Sequence, residues 1–412
     1  MSPQVLAYPF LFIAIFFESF VLVTFLSEPA RKARARTPRG VYPSVAVIVP
    51  CYNEESTIAG TCESLLALDY PVDKLELVLV DDGSTDGTPA AMARFADNPR
   101  VKVIRKENGG KHTALNAGLA ATRAEFVGCL DADSFVEPDA LKELIDTFED
   151  PQVAATTAAM TVHEPKNLIE HMQSAEYTFG VTLRHALAAV NGLYVTPGPF
   201  SFYRRSVVEK LGGFREGHKT EDMEMALRIQ REGYRIENAP RARVYTKAPR
   251  SLLRLVKQRT RWTTGFMRNM RYEYRGLIGR SRYGALGTLV LPIGIVALFG
   301  GMLLFGLAFY ELLAHAAAAF ALRAGVPLAY AYLPRWNGFD WFYLPSSLYL
   351  LLGAATVLAS VTMIVIGKRL SNAPQPLLLG IISYVLFYGL VAPLWVIRAA
   401  TDVALGTERR WK

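Results

Sequence analysis

Four long apolar runs constrain this chain before anything else does. Val5 to Leu26 is nearly all apolar, broken by Glu18, while Tyr283 to Tyr310, Trp341 to Gly367 and Pro374 to Ile397 carry no charge. A bilayer core of roughly 30 Å needs about 20 helical residues, and each run is long enough to cross it. A buried soluble helix would account for one such run; four together read as membrane spans. The first run does not read as a cleaved signal, because its basic cluster follows it instead of preceding it.

The flanks set an expected orientation. Arg31, Lys32, Arg34, Arg36 and Arg39 follow the first run, and Arg268, Arg271, Arg275, Arg280 and Arg282 lead into the second. Lys and Arg near membrane ends mark the cytoplasmic side. The part between, of ordinary soluble composition, is therefore expected in the cytosol, in a multi-pass protein of the inner or plasma membrane. The stretch 311–340 balances its charges (Glu311, Arg323, Arg335, Asp340), as an outside loop does. Three spans after the cytosolic part would put Arg398, Arg409, Arg410 and Lys412 outside, against the charge rule, unless one segment is re-entrant. The expected division is a helix over 1–27, a basic linker over 28–44, a soluble domain over 45–250, an amphipathic interface helix over 251–282, and about three helices over 283–412.

Within the soluble part, short apolar runs alternate with helical stretches. Val45–Val49, Leu75–Val80, Val101–Ile104 and Glu125–Leu130 read as strands; Glu54–Leu68, Thr88–Ala96 and Thr113–Thr122 read as helices. Such alternation predicts an α/β fold with a parallel sheet covered on both faces. Ligands then bind outside the carboxyl ends of the strands. Here those ends read "PCYNEE" (50–55), "DDGSTDGT" (81–88), "KENGGKHTALNAG" (106–118) and "LDADSF" (130–135). Turn chemistry explains one such polar end, but not carboxylates at three of the four.

The pair Asp131 and Asp133 suits a hard divalent cation, which takes oxygen ligands; Mg²⁺ typically uses one or two carboxylates and completes its shell with water and substrate phosphates. The competing reading is a helix cap before "FVEPDALKEL". A Walker loop is disfavoured, since Gly110-Lys111 in "ENGGKHT" (107–113) is preceded by Arg105 where the first glycine belongs and followed by His112. Cys51, Cys62 and Cys129 lack metal spacing and read as buried free thiols. The six histidines show no ligand spacing.

The motifs "VIVPCYNEE" (47–55), "VDDGSTDGT" (80–88), "NGGKHTALNAGL" (108–119), "DAD" (131–133), "GPFSFYRR" (198–205), "TED" (220–222) and "QRTRW" (258–262) occur in order. In this the chain resembles the membrane-embedded processive glycosyltransferases of family 2: the cellulose, chitin, hyaluronan and poly-N-acetylglucosamine synthases. The resemblance covers about 45–270. It implies a GT-A type, Rossmann-like sheet domain inserted between transmembrane helices, and an enzyme that takes a nucleoside diphosphate sugar. It further implies that Asp82 contacts the uridine with Asp81 and Asp86 beside it, and that Glu54 and Lys111 lie near the donor. Asp131 and Asp133 would hold Mg²⁺ or Mn²⁺ against the diphosphate. Arg261 would add a planar cation there, with Gln258 in the same motif. Asp222, next to Glu221, would be the general base. Trp262 would stack on an acceptor sugar, its alternative being a membrane-interface anchor; for Lys111 the alternative is a plain helix-start lysine. Attack opposite the leaving group would give a β-linkage.

UDP-N-acetylglucosamine is the expected donor. The plan of one helix, a catalytic domain and about three helices resembles the poly-N-acetylglucosamine and chitooligosaccharide synthases, and "KTEDMEMALRIQ" (219–230) stands where hyaluronan synthases carry a G-D-D-R type sequence. The expected product is a β-linked glycan, extended on a growing chain and coupled to export. Alternatives are a glycolipid or short oligosaccharide made on a polyprenyl-phosphate acceptor, a β-glucan made from UDP-glucose, and, outside the enzymes, a transporter with a nucleotide-binding domain. Against the transporter stands the scarcity of charge in the spans, with Glu18 the main exception. Four spans are few for a wide pore, which points to a second copy or a small membrane partner. No nucleic-acid partner is expected. The stretches Leu168–Tyr194 and Leu252–Tyr274 read as helices at the membrane surface, with a solvent-exposed helix as the alternative for the first.

Overall fold

The computed structural model describes residues 3–27, 42–322, 324–325 and 348–407. Most of the 28–44 linker with its five basic residues, the charges Arg323, Arg335 and Asp340, the start of the third apolar run, and the tail charges Arg409, Arg410 and Lys412 lie outside the described residues.

The first four strands form where apolar runs were expected: β1 (Val45–Cys51), β2 (Leu75–Asp81), β3 (Val101–Arg105) and β4 (Phe126–Cys129), all mutually parallel. Their side chains alternate between two cores. Val45, Val47, Val49, Leu75, Leu77 and Leu79 face a core shared with α2 (Ile58–Leu66) and α5 (Ala140–Ile145). Ile48, Val78, Val80 and Val127 face the other, shared with α4 (Lys111–Ala121) and α8 (Glu221–Arg231). Period-2 alternation with both faces covered is what makes these strands nearly continuous in apolar residues. Full burial of each such side chain contributes about 1.5–3 kcal/mol.

The sheet is mixed rather than wholly parallel. Its eight strands run in the order β3-β2-β1-β4-β7-β6-β8-β5. β7 (Ser201–Arg204) lies antiparallel to β4 and β6 (Val153–Val162); β8 (Arg235–Thr246) is parallel to β6, and β5 (Ser134–Val136) is antiparallel to β8. β6 is built from Ala and Thr without alternation and is buried throughout. β8 contains Pro240, which falls where the pairing jumps from Ala158–Ala239 to Ala159–Arg243. A residue without an amide hydrogen is tolerated at such a bulge.

Among the described residues, four helices are long and apolar enough to cross a membrane: Val5–Ser27, Leu286–Leu322, Leu350–Ser371 and Leu378–Ala404. We call the first α1 (Pro3–Ser27), the second α10 (Leu291–Leu322, entered through a π turn at Leu286–Val290), the third α11 (Leu348–Ser371) and the fourth α12 (Leu378–Ala404). Glu311 thus lies inside α10 rather than opening an external loop, because the apolar helix continues to Leu322.

The helix α6 (Leu168–Ala189) is not a solvent-exposed helix: it packs against α1, α11 and α12. Two glycines permit the approach, since a Cβ on Gly367 would fall 2.0 Å from the Thr178 carbonyl oxygen, and one on Gly380 2.8 Å from that of His171. The Thr182 hydroxyl donates to the Met363 carbonyl at 2.7 Å. The amphipathic helix α9 (Leu252–Arg268) packs on α12 and ends in a π turn at Asn269–Glu273.

Candidate active site

The register Cys51–Asp81–Arg105 brings the carboxyl ends of β1, β2 and β3 level, with β4 beside β1. Four loops therefore converge. Asp82 accepts the Gly110 amide at 2.8 Å, the Gly109 amide at 3.1 Å and the Lys106 ammonium at 2.5 Å. Gly110 has φ of 90°, a left-handed conformation that favours glycine. The visible work of Asp82 is to hold the 106–110 loop in place. Asp81 accepts the Ser84 amide at 2.9 Å and pairs with Arg105 at 3.2 Å. The β1 and β2 loops clasp each other: Asn53 accepts the Thr85 amide at 2.9 Å, and the Glu54 amide donates to Thr88 at 2.7 Å. Asp86 accepts the Thr88 hydroxyl at 2.5 Å. Lys106 was not singled out from the sequence; its signal was only its place beside the Gly-Gly turn.

The acidic groups that end β4 and begin α8 meet at Lys111. Its Nζ lies 2.5 Å from Asp131 Oδ1 and 3.2 Å from Glu221 Oε1. Lys111 is the first residue of α4, as the helix-start reading expects, and its ammonium points to the acidic groups at the end of β4 and the start of α8. The helix-cap reading of the aspartates does not: Ser134–Val136 is a strand, and α5 begins only at Ala140. Gly198 closes the contact, because a Cβ there would lie 2.6 Å from Lys111 Nζ and 3.0 Å from both Asp131 carboxylate oxygens.

Asp133 is less well compensated. Burial, then the neighbouring Asp131 and Glu54, push its carboxyl up to about 7, against a hydrogen bond from Ser134 at 3.2 Å and the charge of Lys111. Among the described residues, no three His, Cys, Asp or Glu side chains cluster as a complete metal cage. Two carboxylates with surplus negative charge fit a hard cation that draws its remaining ligands from water and a diphosphate.

Asp222 sits in the first turn of α8. Its carboxylate accepts the Met223 amide at 2.8 Å, and its carbonyl accepts the Thr196 hydroxyl at 2.8 Å. Burial, then Glu221, raises its carboxyl to about 6, with Lys111 and the Met223 amide opposing. The three thiols are buried and free; burial keeps Cys62 up at about 12 and Cys51 well above its usual value, which disfavours the thiolate.

The helix α9 is fixed to this turn through Gly265. A Cβ on Gly265 would lie 2.3 Å from the Thr220 methyl, and Asn269 Nδ2 donates to Thr220 Oγ1 at 3.1 Å. Arg261 lies one helical turn before Gly265 on the same face. It is half-buried, with no hydrogen bond or ion pair to any described residue. Gln258 accepts from Arg259 at 2.9 Å, and Arg259 pairs with Glu176 at 2.6 Å and lies 4.2 Å over the Trp262 ring. Arg259 and Glu176 escaped the sequence reading, since nothing in the spacing tied α6 to the second residue of "QRTRW".

Comparison with known proteins accords with this geometry. Residues 46–212 match the glycosyl transferase family 2 profile. The chain is 31% identical over 224 residues to the poly-beta-1,6-N-acetyl-D-glucosamine synthase of Staphylococcus aureus (strain COL), and 29% identical over the same length to that of Staphylococcus epidermidis. In both cases 54% of each chain is covered, so this chain spans about half the length of the curated relatives it matches. The mannosyltransferase PcManGT from Pyrobaculum calidifontis, in complex with GDP-Man and Mn²⁺, superposes with a TM-score of 0.64 at 21% identity, over 98% of this chain and 99% of its own, a likeness of fold. Residues 46–212 are thus similar to glycosyl transferase family 2, on a mixed sheet of GT-A-like fold, and the described residues include helices apolar and long enough to span a membrane.

Proposed function

We propose that the protein is an inverting, metal-dependent membrane glycosyltransferase that extends a β-linked N-acetylglucosamine chain from UDP-N-acetylglucosamine at the cytosolic face. The observation that carries this reading is the meeting of "DAD" and "TED" at Lys111, through its contacts to Asp131 and Glu221. The similarity to poly-beta-1,6-N-acetyl-D-glucosamine synthases supports the donor.

In this mechanism the loop held by Asp82 and Lys106 receives the nucleoside, with Asp81 and Glu54 alongside. Asp131 and Asp133 would hold the divalent cation, which neutralises charge on the diphosphate leaving group when bound. Arg261 offers an uncommitted guanidinium for phosphate oxygens from the α9 side. Asp222 takes the acceptor hydroxyl proton; a carboxyl raised to about 6 is still ionised at neutral pH and is a better base than an ordinary one. Lys111, paired with Asp131 and Glu221, offsets part of the negative charge that these two place beside Asp222. Trp262, braced on one side by Arg259, is the surface for an acceptor sugar.

A second reading, one-step transfer to a lipid-linked acceptor, has its own support. The four long apolar helices bury little of their surface within the chain; α1, α11 and α12 pack on α6 or α9, and α10 packs on α1 and α12. A second copy or a small membrane partner would then be needed to enclose a polymer path. The deciding experiment is a donor screen with purified protein in nanodiscs and Mg²⁺ or Mn²⁺. Nucleoside diphosphate release is measured for each UDP-sugar and for GDP-mannose. Preferential turnover of UDP-glucose or GDP-mannose would overturn the N-acetylglucosamine reading; label found only in extractable lipid would favour the second.

A further inference from the structure

The turn that leads into α8 holds three consecutive residues in the left-handed region. Gly217, His218 and Lys219 have φ of 54°, 54° and 68°. Glycine takes this conformation freely, whereas a Cβ crowds the backbone in His218 and Lys219. Such a backbone persists only where its surroundings over-determine it. Thr220, Glu221 and Asp222 follow directly, so this turn sets where the α8 carboxylates stand.

A side chain from outside the turn holds it. Asn269 is fully buried and opens the π turn that follows α9. Its Nδ2 donates to the Gly217 carbonyl at 3.1 Å, to Thr220 Oγ1 at 3.1 Å and to the Gly265 carbonyl at 2.9 Å. Carbonyls only accept, so the amide must present its NH₂ here. The Thr220 hydroxyl in turn donates to the Gly217 carbonyl at 2.6 Å. Asn269 therefore bridges both ends of the turn and ties them to the helix that carries Arg261 and Trp262. Neither carbonyl depends on it: that of Gly217 also accepts the Thr220 amide, and that of Gly265 the Asn269 backbone amide. Its own Oδ1 is buried without a donor among the described residues, a cost that an apolar side chain would avoid. What the amide adds is the link itself. Further along α8 the Tyr274 hydroxyl donates to Glu224 at 2.6 Å, a separate fastening of the helix body.

We propose that Asn269 is a positioning residue for the transfer: its amide locks the left-handed turn at Gly217–Lys219 and so fixes Asp222 toward the acceptor hydroxyl. The inference deepens the transferase reading and rests on it. Asn269 acts through Gly217 and Thr220. Because the tether starts from the end of α9, the helix of Arg261 and Trp262 and the first turn of α8 keep a common frame.

The test uses the full chain in nanodiscs with Mn²⁺ and UDP-N-acetylglucosamine, as wild type, Asn269→Ala, and Asn269→Ala combined with Lys219→Gly. Asn269→Ala is expected to lower kcat ~10- to 100-fold, the scale of a misplacement near 1 Å. KM for the donor should stay within about twofold, because Asp82, Asp131 and Asp133 stand on other elements. Lys219→Gly removes the crowding at one left-handed residue, so the double variant should be at least ~3-fold faster than Asn269→Ala. A merely structural role would lower Tm without this split or this rescue. A kcat within about twofold of wild type overturns the proposal, as does a rise in KM at unchanged kcat, or a double variant no faster than Asn269→Ala. If Asn269→Ala does not fold, Thr220→Val must give the same split, since it loses the hydroxyl and keeps the methyl packed on Gly265. Hydrogen exchange read by mass spectrometry needs no turnover. Amides of 217–222 should exchange at least ~10-fold faster in Asn269→Ala, while those at the end of α8 do not. Unchanged exchange overturns the tether whether or not any sugar donor turns over, so it fails separately from the transferase reading.

Discussion

The Lys111 ammonium lies 2.5 Å from Asp131, at the tip of the strand that delivers two aspartates. This single contact supplies the positive charge that lets Asp131 and Asp133 stand one residue apart, and it carries the charge across to Glu221 at 3.2 Å. Replacing Lys111 by Met should leave the carboxylates uncompensated. Tm is expected to fall, and added Mn²⁺ should restore it by more than it raises the wild type, because binding to the folded state alone stabilises it. Differential scanning fluorimetry over a Mn²⁺ series checks this; equal Mn²⁺ responses would contradict it.

Gly198 lies directly against that ion pair. In Gly198→Ala the new methyl would sit 2.6 Å from Lys111 Nζ and 3.0 Å from both Asp131 oxygens. Misplacement near 1 Å can cost about 100-fold in rate. We expect kcat to fall ~10- to 100-fold with a comparatively small change in Tm. A rate within twofold of wild type would show that the loop yields freely.

Asp222→Asn removes the proposed base while keeping the shape. Turnover should drop by about 10²–10⁴-fold, the usual contribution of a positioned base. Donor binding by calorimetry should stay within about twofold. The pH dependence follows from the raised carboxyl: the ionised form is active, so the wild-type rate should climb as pH rises through about 6 and then level off. The residual rate of the Asn variant should lack this limb. A limb that persists unchanged would assign it to another group.

Asp133→Ala tests the cation. Because burial, Asp131 and Glu54 already push this carboxyl up, its charge is expected to matter chiefly when a cation is present. Donor affinity measured with Mn²⁺ should fall to the level seen with chelator, while affinity in chelator alone stays unchanged. Retention of Mn²⁺-dependent binding would remove Asp133 from the ligand set.

Arg259 ties the "QRTRW" helix to α6 through Glu176, which also accepts the Tyr388 hydroxyl at 3.1 Å. Arg259→Ala strands a largely buried carboxylate, and breaking such a pair costs about 3–5 kcal/mol. Chemical denaturation should show that loss. Arg259→Ala combined with Glu176→Gln should recover part of it, which a purely additive double variant would not.

What the sequence by itself determined here is what depends on local pattern. The four apolar runs and the strands β1 to β4 follow from runs of Val, Ile and Leu whose length and bounding turns leave few alternatives. The polar ends of those strands were equally legible, because a parallel sheet always gathers its strand ends on one edge. The other half of the sheet was not. β6 hides in Ala and Thr without alternation, and β8 carries Arg235, Glu237, Arg241 and Arg243 around a proline. Their strand character comes from pairing partners some 80 residues away, as Thr157 with Asn238. The site divides in the same way. Asp131, Asp133, Glu221 and Asp222 stood out as types and motifs, but the partner of each was decided in three dimensions. Lys111 meets Glu221 across 110 residues, Lys106 rather than Lys111 serves Asp82, and Arg259 finds Glu176 only because α6 lies between the sheet and the long apolar helices. Charge pairing acts over a few ångströms, and only the packed chain sets those distances.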